Sequence, residues 1–80
     1  DIHLFPNPSN NKFSIQLPVE TKLPVDLSLY HSTGQLAFQK QLSERHHLEN
    51  IDLKNLPAGL YLVAISNKDG SASRRLIKAN

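Results

Sequence analysis

Short runs of strictly alternating apolar and polar residues constrain this chain most. A period of two lines one side of an extended backbone and cannot be wrapped onto one face of a helix. Phe13, Ile15 and Leu17 share a side, with Ser14 and Gln16 on the other; Val25, Leu27 and Leu29 repeat the pattern against Asp26 and Ser28. Each run predicts a half-buried antiparallel strand, and Leu36 and Phe38 continue the series. Residues 60–65 read Leu-Tyr-Leu-Val-Ala-Ile, an unbroken apolar run. Its length and flanking turns predict a central strand covered on both faces. From about Ser73 to Lys78, Arg74, Arg75 and Lys78 mix with Leu76 and Ile77, as in an edge or terminal strand that charge keeps from pairing with strangers. Between Glu44 and Asp52, Leu48 and Ile51 stand three apart; the reading is an irregular edge strand, with a helical turn as the alternative.

The connections agree. His31-Ser32-Thr33-Gly34-Gln35 and Asn67-Lys68-Asp69-Gly70-Ser71 each place a glycine at the end of a short polar loop, where a hairpin needs a residue with positive φ. Two hairpins are expected, over about 25–42 and 59–78. Leu56-Pro57-Ala58-Gly59 reads as a β-turn, with proline fixing φ at its second position. Six or seven short strands and no convincing helix predict an all-β fold, a small antiparallel β-sandwich.

Eighty residues suffice for one domain, whose folding buries roughly 63% of the chain's surface. Such a domain leaves room for a surface patch and little for a deep active site. With no cysteine, disulfides, thiolate nucleophiles and Cys-based zinc sites are excluded. The net charge is only +2 and the lysines are scattered along the chain, without the clustered footprint of a nucleic-acid binder, so no nucleic-acid partner is expected. No apolar run approaches the roughly 20 residues of a membrane-spanning helix. The chain starts Asp-Ile-His, without the basic and then apolar leader of a signal peptide, and reads as a piece of something longer.

Phe5-Pro6-Asn7-Pro8-Ser9-Asn10-Asn11 stands apart. Each proline fixes its own φ and pushes the residue before it out of the α region, so Phe5 to Pro8 is extended and stiff. Residues 1–11 are therefore read as a Pro/Asn-rich lead-in pairing only at its edges, and residues 12–80 as the sandwich.

Several of these residues fall into one order: Leu4-Phe5-Pro6-Asn7-Pro8-Ser9, then Lys12-Phe13-Ser14-Ile15, Leu27-Ser28-Leu29-Tyr30 leading to Gly34, Ile51-Asp52-Leu53, Leu56-Pro57-Ala58-Gly59-Leu60-Tyr61-Leu62-Val63, and Arg75-Leu76-Ile77-Lys78. From about Leu4 to Lys78 this resembles the C-terminal sorting domain of the Por, or type IX, secretion system of Bacteroidetes. Phe5 stands where that family often has Tyr, Asn10 and Asn11 where it often has Gly, and His31 where it tends to have Asp or Asn. The resemblance implies an immunoglobulin-like β-sandwich of about seven strands at the end of a longer polypeptide. It implies an N-terminal cargo domain, recognition by the outer-membrane translocon, removal by a sortase-like peptidase, and a cargo that is secreted or held at the cell surface after passing the periplasm and outer membrane. A rival from another class is a fibronectin- or immunoglobulin-like adhesion or carbohydrate-binding module. That module would want exposed aromatics, and most of Phe5, Phe13, Tyr30, Phe38 and Tyr61 alternate inward.

Weighed for chemistry, the sequence yields no catalytic, cofactor or metal site. His46 and His47 are adjacent and so point to opposite faces of an extended segment. His47 and Glu49 could share a face, but two ligands do not close a site. The serines lie in no nucleophile motif, and three glycines form no phosphate loop. Candidate recognition residues are Arg74, Arg75, Leu76, Ile77 and Lys78, a final strand whose basic residues and edge would be read by the translocon through strand addition. Pro6, Asn7, Pro8, Gly34, Leu56, Gly59, Tyr61 and Gly70 carry the motif and turns, with Tyr61 expected in the core and its hydroxyl bonded at the rim. Exposed strand edges leave a dimer open.

Overall fold

A computed structural model describes residues 2–5, 11–43 and 49–79. Pro6, Asn7 and Pro8, the part of the irregular stretch before Glu49, and with it His46 and His47, lie outside the described residues. Among the described residues there are seven strands and no helix: β1 (His3–Phe5), β2 (Lys12–Gln16), β3 (Val25–His31), β4 (Leu36–Leu42), β5 (Glu49–Asp52), β6 (Gly59–Asn67) and β7 (Gly70–Lys78). They form two antiparallel sheets, one ordered β1-β2-β5 and the other β4-β3-β6-β7. In immunoglobulin lettering this is A-B-E against C′-C-F-G, with the extra strand beside C.

The alternating runs become the inner faces. Phe13, Ile15 and Ile51 of the smaller sheet meet Val25, Leu27, Leu29, Tyr61, Val63 and Leu76 of the larger one in a single core. Phe13, Ile15, Leu27, Leu29 and Leu76 are each at most 1% exposed, and burying a side chain of that size contributes about 1.5–3 kcal/mol. Leu53, just past β5, is also fully buried; its N–H donates to the Asn11 carbonyl at 2.6 Å, which ties the smaller sheet's end to the chain before β2. Leu4 of β1 packs on the same core and pairs opposite Ile15.

Both expected hairpins form. His31 N–H donates to the Gln35 carbonyl and Gly34 N–H to the His31 carbonyl, each at 2.8 Å, and Gly34 holds φ at +96°. At the other hairpin Asn67 pairs with Gly70, and the Asn67 side chain caps the turn by accepting from Asp69 N–H at 2.9 Å.

Two expectations are corrected. β6 does lie between two strands, but only one of its faces is covered: Tyr61, Val63 and Ile65 are buried, whereas Leu60 and Leu62 are 44% and 41% exposed. An apolar run has the same composition whether its outer side chains meet a second layer or solvent. Leu36 and Phe38 also do not share a face. The register shifts so that Leu29 faces Phe38 while Tyr30 faces Leu36. This bulge leaves Ala37 and Phe38 on the core and Leu36 48% exposed, since an extra residue breaks the period of two.

Candidate recognition strand and the faces around it

β7 is an edge strand of the larger sheet, antiparallel to β6 with Tyr61 opposite Leu76, Leu62 opposite Arg75 and Leu60 opposite Ile77. Directly opposed residues point to the same side of a sheet, so the five candidate recognition residues separate. Leu76 is fully buried in the core and Lys78, opposite Gly59, is 6% exposed. Arg74, Arg75 and Ile77 are exposed. Arg74, opposite the buried Val63, lies on the same side as Leu76 and Lys78 although it is exposed at the sheet's edge, so the reading of a strand with its charges outward fits only Arg75, and the stem of Lys78 lies along the core side.

Gly34, Gly59 and Tyr61 lie near one end of the larger sheet, while Gly70 sits in the β6–β7 hairpin at the other. Gly59 opens β6 with φ at +151°, in a region that side chains resist. Two residues on, Tyr61 is 1% exposed. Its hydroxyl donates to the Pro57 carbonyl at 2.5 Å, and burial pushes the phenol's pKa above its ordinary value. The half-buried His31 ring lies 5.1 Å from the Tyr61 ring, tilted by 43°. Leu56 is half-buried against the core, and its N–H donates to the Leu53 carbonyl at 2.9 Å. The His31–Gln35 loop and the Pro57–Gly59 segment border a cavity of about 310 Å³, also lined by Leu60 and Tyr61. A second cavity, about 340 Å³, sits by the β6–β7 hairpin between Ile2, Val25, Ile65, Asp69 and Arg74.

Sequence reasoning missed the outward side of the larger sheet. Leu36, Tyr30 and Leu62 stand side by side across β4, β3 and β6, and Leu60 and Ile77 lie one step further along β6 and β7. The four aliphatic side chains are 41–49% exposed. The available signal was Leu60 and Leu62 within the six-residue apolar run, which the covered-strand reading absorbed. For chemistry the arrangement offers little: among the described residues no three His, Asp or Glu side chains come together as a metal would require, and no helix is long and apolar enough to cross a membrane.

A comparison with curated proteins gave no match. The family of secretion system C-terminal sorting domains matches residues 3–79, a span that runs from the start of β1 to just past the end of β7. It is a family of sorting signals, not of enzymes, and its members imply an attached cargo and a secretion system that acts on it. With nearly every residue covered, and with two sheets in the immunoglobulin-like order, this chain belongs to the secretion-system C-terminal sorting domains.

Proposed function

We propose that residues 1–80 act as one address at the C-terminal end of a cargo protein, read by the outer-membrane translocon of the type IX system. The cargo crosses the periplasm, is carried through the outer membrane, and is then released from the domain by a sortase-like peptidase for secretion or attachment at the cell surface. The observation that carries this reading is the family match over residues 3–79.

Within that reading the final strand is the recognition element. Arg74, Arg75 and Ile77 are its exposed side chains, and Leu76 and Lys78 fix its register against the core. Two guanidinium groups on an edge strand favour a carboxylate-bearing partner, since Arg binds carboxylates with paired hydrogen bonds.

The test fuses residues 1–80 behind a periplasmic reporter in a type IX-competent bacterium and in its secretion-deficient derivative. The reporter is expected at the surface of the competent strain alone; equal surface display in both strains overturns the reading. Removing residues 75–80 is expected to trap the reporter in the periplasm. Because that deletion also removes the buried Leu76, the double substitution Arg74→Ala/Arg75→Ala accompanies it. Normal export of both altered forms would remove the final strand from recognition.

A further inference from the structure

A cation interrupts the core-facing row of β4. That strand pairs with β3 so that Leu42 stands opposite Val25, Lys40 opposite Leu27 and Phe38 opposite Leu29. Val25, Leu27 and Leu29 are buried, and opposed residues point to the same side of a sheet, so Phe38, Lys40 and Leu42 all lie on the core side. Phe38 packs on the core and Leu42 is buried, whereas Lys40 between them is exposed. β4 is an outer strand of the larger sheet among the described residues, and only at such a rim can a lysine lie along apolar neighbours with its ammonium in water. The other outer strand repeats the arrangement: Arg74 of β7 stands opposite the buried Val63, on the side of Leu76, and is exposed.

Strand length sets these two edges apart from those of the smaller sheet. β1 has three residues and β5 four, against seven in β4 and nine in β7, so the outer strands long enough to hold a further strand are the ones with a cation on the core side. Two copies paired antiparallel along β4 about a twofold axis bring core-side residues against core-side residues. Each Lys40 then meets the other Lys40 or lies against an apolar Phe38 or Leu42, and the added strand covers the rim through which the ammonium reaches water. A charge enclosed in that way is costly. Lys40 and Arg74 also interact within the copy that carries them, and a covering strand would desolvate those interactions too.

We infer that Lys40 and Arg74 are edge guards, each set on the core side of a long outer strand so that a second copy of this chain does not extend the larger sheet. Guarded at both edges, the chain stays a single copy. Loss of one guard opens one edge, which pairs with the same edge of another copy and closes as a dimer. Loss of both opens two edges, and assembly then continues from copy to copy without closing. The guards act whatever reads the domain, so they stand apart from the sorting reading.

Light scattering during gel filtration of the 80-residue chain, over a series of concentrations, reads the outcome. The parent is expected to run as one copy. Lys40→Val and Arg74→Val, on separate edges so that a folding failure in one leaves the other, should each rise to about twice the parent mass, and the double variant Lys40→Val/Arg74→Val should run larger still. Lys40→Glu should stay single, because a carboxylate guards that position as a cation does. Gln41→Val should also stay single, because position 41 stands opposite Asp26 on the outward side. Amide hydrogen exchange separates edge pairing from association through the exposed leucines: in Lys40→Val it should slow along β4 and not in the smaller sheet. A parent that already associates, valine variants that stay single, a double variant that stops at two copies, association of Lys40→Glu or Gln41→Val to the extent of Lys40→Val, or unchanged exchange along β4 each overturns the inference.

Discussion

The two sheets turn different surfaces outward. On the smaller one, Ser14 donates to the Asn50 side chain at 2.6 Å, Lys12 stands opposite Asp52 and His3 opposite Gln16. Phe5 is the one large apolar side chain among its described outward residues. The larger sheet keeps to the same rule at one end and departs from it at the other, where four aliphatic residues from β4, β6 and β7 are 41–49% exposed. Both sheets contribute buried residues of their inner faces to the one core. The outer faces thus differ in what they show to solvent: polar side chains on most of the smaller sheet, and three leucines and an isoleucine at one end of the larger.

The sharpest way to break this comparison is to show that the outward apolar residues hold the fold together. Leu76 and Ile77 are neighbours on β7, one fully buried and the other 49% exposed. Leu76→Ala is expected to cost about 2–5 kcal/mol, from lost transfer energy and the cavity left behind. Ile77→Ala should cost less than about 1 kcal/mol, since its half-exposed side chain forfeits little burial. Denaturant titration of both variants reads the difference, and equal losses would place the outward patch in the core.

A smaller effect is expected at the turn that delivers Leu36 to the patch. Gly34 has nothing within 4 Å of where a Cβ would sit, but its φ is +96°. Gly34→Val is therefore strained by backbone conformation alone, at about 1–3 kcal/mol. A thermal melt matching the parent would show that the β3–β4 hairpin does not require that conformation, and with it would go the account of how Leu36 comes to face Tyr30.

The inner faces were legible in the sequence because one covered face per strand yields strict alternation, as at Phe13/Ile15 and Val25/Leu27/Leu29. Both hairpin glycines were legible for a similar reason: few residues tolerate their φ. The outward patch was not. Leu60 and Leu62 sit in a run that looks the same with a second layer or without one, and Leu36 reaches the outer face through a bulge that no side-chain pattern announces. In β7 the alternation was masked by a lysine on the inward side, because Lys78 carries an apolar stem behind its charge. The candidate site was thus legible as a strand, and only the pairing with β6 divides its side chains into inward and outward sets.

Tyr61 sharpens the contrast within one strand, since it faces inward between the outward-facing Leu60 and Leu62. Tyr61→Phe leaves the ring in the core and deletes the hydrogen bond to the Pro57 carbonyl, at an expected cost of about 1 kcal/mol. Burial raises the phenol's pKa in the folded state, so the folded protein holds that proton more tightly than the unfolded chain, where the value is about 10. The associated stability is fully present below about pH 10 and is lost as pH rises through the folded-state value. The gap between parent and Tyr61→Phe should hence stay constant through neutral pH and narrow above pH ~10. Urea midpoints across the alkaline range check this, and a gap that persists unchanged would mean that Tyr61 ionises as readily folded as unfolded.

The smallest effect belongs to the smaller sheet. Ser14→Ala removes the 2.6 Å hydrogen bond to Asn50, but that bond is exposed and water replaces it on both partners, so the expected change lies within about 0.5 kcal/mol. A larger loss would mean that the polar face is itself packed against something, and the two outward faces would no longer differ in kind. A loss within that range, beside a light penalty for Ile77→Ala, leaves neither face needed for folding.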